Sequence, residues 1–572
     1  MQNFQEKANF IWQVADDILF GPFQHHEFRD VVLPFVVLRR LDCVFEPVKD
    51  KVIECYNKFK DKLQDLEPVL LQSAGNLKFY NTSFYDLRRL SQDNKNIEIN
   101  FNNYINGFSK NVREILDNFQ IEKITGKLAK NDLLFMLIDK FTEIDLDPQK
   151  VSNHEMGYIY EELLRKFNEF IGETAGHHFT PREIIKLMVN LMFEEHKDEL
   201  KGKGIYRKIF DPACGTGGML TIAKEHILKN INSNIEQNLI LNGQELNEQT
   251  YAVAKADILM TGENEENIRQ GSSFSEDKFR GETFDYMLSN PPFGVSWKKE
   301  QSYIEEEAKN PYSRFSAGLP RISDGALMFL QHMISKMENK GSRIAIIFNG
   351  SPLFTGDAGS GESDIRKWII ENDWLEAIIA LPSELFYNTG IATYIWLVAN
   401  RKTKRRKEKV QLINAVSFFD KMRKSLGNKR NFITDDQIKQ ITKIYTDFKE
   451  NEYCKIFDNA DFGYTKVTVE RPLIENGKIV KDKNGKPKSD TQLRDYEKIP
   501  LKQDINEYFE KEVKPHLPDA YMDRTKDKIG YEINMTKYFY KYTPLRALEE
   551  IKKDIIGLEN ETEGLLKEII EN

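Results

Sequence analysis

The chain has 572 residues, 40% of them hydrophobic and 11% aromatic, enough to bury large cores in two or three domains and inconsistent with a disordered protein. A net charge of −8 argues against a protein that grips DNA by itself through a broad basic face. The cysteines Cys43, Cys55, Cys214 and Cys454 form no C-x-x-C pair, so neither a disulfide framework nor a zinc site is indicated. No apolar run approaches the roughly eighteen residues of a membrane span, and the N-terminus lacks a basic-then-apolar leader; a cytoplasmic setting is expected.

Up to about residue 150 the chain reads as helical throughout. Ile11, Val14, Ile18 and Leu19 recur at three- and four-residue spacing, as do Val31, Val32, Phe35, Val36 and Leu38. Pro34 falls inside the second pattern and is expected to start or kink that helix, because it lacks an N–H. From about 150 to 420 strand and helix patterns alternate, which signals a mostly parallel sheet covered on both faces.

The strand pattern Tyr206–Phe210 leads into Asp211-Pro212-Ala213-Cys214-Gly215-Thr216-Gly217-Gly218 and then into a helical pattern through Leu228. Strand, glycine loop and helix form the opening unit of a nucleotide-binding Rossmann-like sheet. Glycines let the backbone approach a ligand where a Cβ would collide. No Lys-Ser/Thr pair follows, which sets a phosphate-binding P-loop aside. Asp211 brings negative charge that suits a cationic or amino-bearing ligand better than a pyrophosphate. A purely structural turn is the alternative. Cys214 reads as a small packing residue rather than a nucleophile. The next strand pattern, Asn238–Glu245, ends in an acid one βαβ unit away, where doubly wound folds put a carboxylate on ribose hydroxyls.

The apolar run Phe284–Ser289 is stopped by Asn290-Pro291-Pro292-Phe293. Two consecutive prolines cannot continue a ladder, so the chain leaves the strand in a stiff, extended turn. An asparagine amide, carbonyls without competing donors and an aromatic ring then stand at the carboxyl end of a strand, the edge where open sheets bind ligands. Such a set accepts hydrogen bonds from an exocyclic amine and stacks on a planar base; a strand exit packed on the core is the plainer reading.

Later strand patterns cover Arg343–Phe348, Glu376–Leu381 and Ala392–Val398. The glycine-rich stretch Thr355–Glu362 lacks the lysine of a phosphate loop and is expected to be a flexible loop near the site. The basic run 401–407 is either a solvated loop or a local phosphate contact. Residues 421–500 are charged and less periodic, with Asn476-Gly477 and Asn484-Gly485 as hairpin turns. Residues 501–572 read as a helical segment whose last stretch, from about Leu545 to Ile570, is amphipathic. It either docks on its own domain or serves a partner helix.

Taken together, the glycine loop and Asn290-Pro291-Pro292-Phe293-Gly294 resemble S-adenosylmethionine-dependent N6-adenine DNA methyltransferases, and more narrowly the modification (M) subunit of Type I restriction-modification systems. Gly176-His177-His178-Phe179-Thr180-Pro181-Arg182 is similar to the cofactor motif that precedes the glycine loop in the gamma arrangement. Ser323-Asp324-Gly325-Ala326 and Leu381-Pro382-Ser383-Glu384-Leu385-Phe386 also look like family landmarks. The resemblance covers almost the whole chain.

It implies an α/β fold: a Rossmann-like methyltransferase domain over 151–420, an N-terminal helical domain over 1–150 that helps enclose DNA, a charged mixed extension over 421–500 and a C-terminal helical tail over 501–572. It implies S-adenosylmethionine held by Phe179, Thr180, Pro181, Asp211, Pro212, Ala213, Gly215, Thr216, Gly217, Glu245, Ser272 and Asn290, with no metal. Gly271-Ser272-Ser273-Phe274 departs from the family, many members of which place an acid or amide after the third strand. Catalysis falls to Asn290, Pro291, Pro292 and Phe293, acting on an adenine flipped out of the duplex. The implied partners are double-stranded DNA, a separate specificity (S) subunit, a second copy of this chain and a restriction (R) subunit. The rival readings are methylation of RNA adenine or protein glutamine, a stand-alone methyltransferase of another DNA-defence system, and a catalytically silent scaffold.

Overall fold

The computed structural model describes residues 2–171, 180–202, 204–387, 389–475, 478–481, 485, 487–540 and 546–571. The Gly176–Phe179 part of the cofactor motif and most of the two Asn-Gly turns lie outside the described residues. Two compact units are present, Met1–Ile533 and Asn534–Asn572.

The first unit opens with helices from α1 (Gln2–Leu19) and α2 (Phe28–Phe45) through to Leu134–Thr142. Ile11, Val14, Ile18 and Leu19 are buried, as their spacing predicts. Helix α2 is apolar almost all round and lies at the centre of this core. Pro34 sits inside it instead of at its start: α2 begins six residues earlier, and burial of its neighbours offsets the missing N–H. Two arginines of α2 are buried with it. Arg39 Nε donates to the Ile144 carbonyl at 2.6 Å, and Arg40 Nη1 donates to the Val151 carbonyl at 2.9 Å, which ties the N-terminal helices to α3 (Asn153–Ile171).

A nine-stranded sheet follows. Its strands are β1 (Arg207–Asp211), β2 (Leu239–Glu245), β3 (Ile268–Gln270), β4 (Tyr286–Ser289), β5 (Arg343–Asn349), β6 (Leu375–Ala380), β7 (Thr393–Ala399), β8 (Lys409–Asn414) and, after the β9–β10 hairpin (Asp420–Leu426, Lys429–Phe432), β11 (Cys454–Asp458). The spatial order is β11-β8-β6-β7-β5-β4-β1-β2-β3. β7 and β11 run antiparallel to their neighbours and the other pairings are parallel. Strands β4 and β6 are buried at every position, as expected of strands covered on both faces, and β6 buries Glu376 among its apolar residues. Helices α4 (Arg182–Phe193) and α5 (Gly218–Asn230) share a core with this sheet. Helix α6 (Glu248–Met260) differs: its Ala252, Val253, Ala256 and Leu259 belong to the core of the N-terminal helices.

Three expectations change here. In the basic run, Lys402 is buried and donates to Asp373 Oδ1 at 2.6 Å, and Arg406 is fully buried. Arg406 pairs with Glu195 at 2.8 Å and Glu376 at 3.1 Å, and Arg343 meets Glu376 at 3.0 Å. Distant carboxylates thus turn part of an apparent surface run into core. The glycine-rich stretch is a seat for a second sheet, and none of its residues lines the cleft described below. Asp357 there accepts from Tyr464 at 3.0 Å, and Arg366 Nε donates to the Tyr531 carbonyl at 2.6 Å. That second sheet contains β12 (Gly463–Glu470), β15 (Asp495–Pro500) and β16 (Tyr521–Tyr531), in the order β15-β12-β16. A short hairpin, β13 (Ile474–Glu475) and β14 (Lys478–Ile479), lies between β12 and β15. Residues 521–531 are therefore strand, not helix. Their polar middle lacks an apolar period, and pairing with β12 decides their conformation.

The second unit consists of Met535–Phe539 and the long α7 (Leu548–Glu571), whose Leu548, Ile551, Ile555 and Leu558 are exposed. No helix among the described residues is long and apolar enough to cross a membrane.

Glu376 is the keystone of the buried charge network. Burial alone would raise its pKa, but Arg343 and Arg406 outweigh that and hold it below the ordinary carboxylate range. The stability it contributes is present above that range and is lost as pH falls through its folded value. We expect Glu376→Gln to cost about 3–5 kcal/mol by leaving two buried guanidinium groups undercompensated, measured as a lower urea midpoint at pH 7.

Candidate active site

Strand β1 pairs with β2 on one side and β4 on the other, so successive connections leave β1 in opposite directions. The crevice at such a switch point, outside the carboxyl ends of the strands, is where open α/β sheets bind ligands. A cleft of about 1150 Å³ opens there. Its walls include Asp211 through Thr216, Glu245, Ser272, Asn290, Pro292 and Thr180.

Asp211 ends β1 and is almost completely buried. Its Oδ1 accepts from Ala213 N at 3.0 Å and from Ser289 Oγ at 2.8 Å. The second bond stitches the end of β1 to the end of β4. Burial pushes the Asp211 carboxyl up to about 7; the two donors lower it and the nearby Glu245 raises it further. Gly215 and Gly217 have φ of +55° and +83°, the left-handed region that favours glycine. Glu245 ends β2, where its Oε2 accepts from Gly215 N at 2.9 Å and its Oε1 from Asn247 N at 2.9 Å. Each carboxylate oxygen still has a lone-pair direction for a ligand hydroxyl. Burial raises the pKa of Glu245 as well. A Cβ at Gly243 would lie 2.8 Å from Cys214 Sγ, so the glycine loop approaches β2 more closely than any other residue there would allow. Cys214 is buried and its thiol is held well above its ordinary value, in keeping with a packing role.

After β4 the chain turns through Asn290-Pro291-Pro292-Phe293, and Gly294 (φ +62°) reverses it. Asn290 Nδ2 donates to Thr180 Oγ1 at 2.9 Å, which joins the proline turn to the segment before α4. Pro292 lines the cleft, while Pro291 is buried and Phe293, 9% exposed, belongs to the sheet core. The ring expected to stack on a base is thus packed with that core. Pro181 caps α4 and is buried. Ser272 lines the cleft, and its Oγ accepts from Phe274 N at 3.2 Å. Gly217 is the one predicted cofactor residue within the described loop that does not line the cleft; it caps α5.

Several residues around the site have roles that only the fold reveals. Arg182 pairs with Glu161 at 2.7 Å, and a Cβ at Gly157 or Gly218 would crowd its guanidinium. The pair thereby braces α3 against the glycine loop. Arg314 Nη1 donates to the Ser273 carbonyl at 2.6 Å and holds the wall after β3 from forty-one residues away. Phe274, Trp297 and Phe329 present aromatic surface to the cleft, and Arg29 reaches it from α2.

The comparisons agree with this geometry. The family profile of N-6 DNA methylases matches residues 151–469, and that of the HsdM N-terminal domain matches residues 7–141. The chain is 28% identical, over 83% of either chain, to the Type I restriction enzyme MjaIX methylase subunit of Methanocaldococcus jannaschii. It is 26% identical to the HindI methylase subunit of Haemophilus influenzae, over 58% of this chain and 73% of that one. Its fold is similar to a type I restriction-modification methyltransferase subunit from Streptococcus thermophilus, with a TM-score of 0.61 at 20% identity, covering 81% of this chain and 97% of that one. The chain belongs to the N-6 DNA methylase family. It is an adenine-specific DNA methyltransferase of the HsdM type that uses S-adenosylmethionine.

A carboxyl whose folded pKa is raised takes up a proton that the unfolded chain has already lost. Its stabilising effect is therefore complete at low pH and shrinks as pH climbs towards about 7. We expect Asp211→Asn to flatten this fall in the melting temperature of the ligand-free enzyme between pH 5 and pH 7.5.

Proposed function

We propose that this chain is the modification subunit of a Type I restriction-modification complex, with the amine-accepting turn and the cofactor loop as two halves of one catalytic centre. The observation that carries this reading is the Ser289–Asp211 hydrogen bond, which sets Asn290 beside the glycine loop. The residues present suit the cofactor. Acidic groups at Asp211 and Glu245 match a sulfonium with an ammonium tail, Glu245 matches ribose hydroxyls, and the loop at Gly215 leaves open space where a Cβ would stand. Thr180, Pro212, Ala213, Thr216 and Ser272 complete the proposed cradle, with Ser272 at the cofactor adenine. Of the remaining members, Asn290 lines the cleft, Pro181 and Gly217 cap the helices beside it, and Phe179 lies outside the described residues.

The N6 amine is a poor nucleophile because its lone pair is delocalised into the ring. The Asn290 side-chain oxygen and the Pro291 carbonyl accept its two N–H bonds, which draws the nitrogen towards tetrahedral geometry and localises the pair. Thr180 orients the Asn290 amide for this by accepting from its Nδ2. When bound, S-adenosylmethionine would supply an electrophilic methyl group in exchange for one N6 proton, which would leave to solvent. Pro292 limits the turn's freedom, so alignment of the amine is largely built in before the base arrives. Phe293 secures that turn through the core, and stacking on the base would require its ring to leave the position described here.

DNA is the substrate, and a separate specificity subunit is proposed to choose the site. The acidic balance and the exposed apolar residues of α7 support that division of labour. A second copy of the chain and a restriction subunit complete the proposed assembly, in a bacterial or archaeal cytoplasm.

Asn290→Ala should lower methyl transfer to DNA by about a hundredfold or more while S-adenosylmethionine binding, followed by calorimetry, stays within a few-fold. Full activity in that variant would remove Asn290 from the chemistry. Deleting the residues after Tyr540 should abolish co-purification with the paired specificity protein and leave cofactor affinity unchanged.

A further inference from the structure

The walls of the cleft are acidic. Among its described lining residues, six carboxylates (Glu161, Asp211, Glu245, Glu248, Glu276 and Glu300) face two cations, Arg29 and Lys299. Yet the substrates of the proposed reaction bring oxyanions to this cleft: the cofactor a carboxylate, the DNA a phosphodiester beside the flipped nucleotide. An oxyanion taken out of water needs a charged donor. Lys299 lies on an exposed turn and keeps its hydration.

Arg29 is different. It comes from α2, its side chain is 20% exposed, and its Nε is buried with no hydrogen-bond partner. Among the described residues its one ion-pair contact is with Asp30 Oδ1, 3.8 Å from Nε, and that same oxygen accepts a hydrogen bond from Gln249 Nε2. The more deeply buried arginines meet close partners in the protein; even Arg343, whose Nε is likewise without a hydrogen-bond partner, pairs with Glu376 at 3.0 Å. Arg40 donates to the Val151 carbonyl, Arg182 pairs with Glu161, Arg366 donates to three backbone carbonyls or more, and Arg406 pairs with Glu195 and Glu376. A guanidinium carries five donors and does not lose its proton, so a mostly buried one with a single long contact is costly until an anion completes it.

We propose that Arg29 is the oxyanion anchor of this cleft, binding a carboxylate or phosphodiester oxygen through Nε and a terminal N–H. The N-terminal helices would then supply a ligand contact as well as a wall. Their shared core with α6, which follows Glu245, keeps that contact in register with the rest of the site. This rests on the methyltransferase reading of the cleft.

The test uses the full chain with Arg29→Ala and with Arg29→Gln, which keeps the length and much of the packing. S-adenosylhomocysteine and methylthioadenosine, which lacks the amino-acid carboxylate, are titrated into each. If the anion is the cofactor carboxylate, the variants bind S-adenosylhomocysteine about tenfold more weakly or worse and methylthioadenosine as before. If it is a phosphodiester, both nucleosides bind as before. A fluorescent DNA duplex then binds more weakly to the complex of the full chain with its paired specificity protein, and the slope of log affinity against log salt falls by about one. Wild-type values for both nucleosides, for the duplex and for the salt slope would overturn the proposal. So would an equal loss for the two nucleosides, which marks a merely structural residue. A wild-type chain that binds neither nucleoside would instead reject the methyltransferase reading itself.

Discussion

Two strand ends decide what this molecule can do. β1 and β4 lie side by side in the sheet although some seventy-five residues separate them, and Ser289 Oγ closes the junction on Asp211. Because β2 and β3 extend the sheet one way from β1 and the later strands the other way, the connections part above this junction. The crevice they leave is filled by side chains that end strands: Asp211, Glu245 and Asn290. Everything else in the site orients or limits these three. Glu245 holds the glycine loop by its backbone, Gly243 lets Cys214 sit close against β2, and Thr180 turns the Asn290 amide.

The N-terminal helices are built into this arrangement. Helix α6 begins three residues after Glu245 and buries its small apolar residues in their core, while Arg39 and Arg40 of α2 fasten the segment that leads to α3. From α3, Glu161 reaches Arg182 behind the glycine loop. A displacement of the N-terminal helices would therefore be felt at both the Glu245 side and the glycine-loop side of the cleft. The physical medium is a shared close-packed core, which transmits a shift because it has little room to absorb one.

Charge is used differently in the two halves of the sheet. Near β6 and β8 the carboxylate of Glu376 is compensated by two arginines and serves stability. In the cleft, Asp211 is buried and Glu245 partly buried, without such partners among the described residues, and desolvation raises both pKa values. Carboxyl groups left in that condition favour a positively charged ligand, since its arrival compensates them. For such a ligand, binding and the relief of desolvation would be the same event.

Local patterns in the sequence were enough to mark the strand–glycine loop–helix unit, the acid at the end of β2 and the proline stop after β4, because each depends on residue types a few positions apart. The positive φ of glycine, the missing N–H of proline and the two- or four-residue apolar period act locally. What required the fold was anything set by distant partners. The packing of Phe293 with the sheet core is one case, and Lys402 and Arg406 look like surface charge until Asp373, Glu195 and Glu376 meet them. Residues 521–531 lack a period of their own and become strand only by pairing with β12. By itself the sequence determined the chemistry available at each strand end. The tertiary structure decided which ends meet and which charges are buried, because strand order and burial depend on packing between residues far apart in the chain.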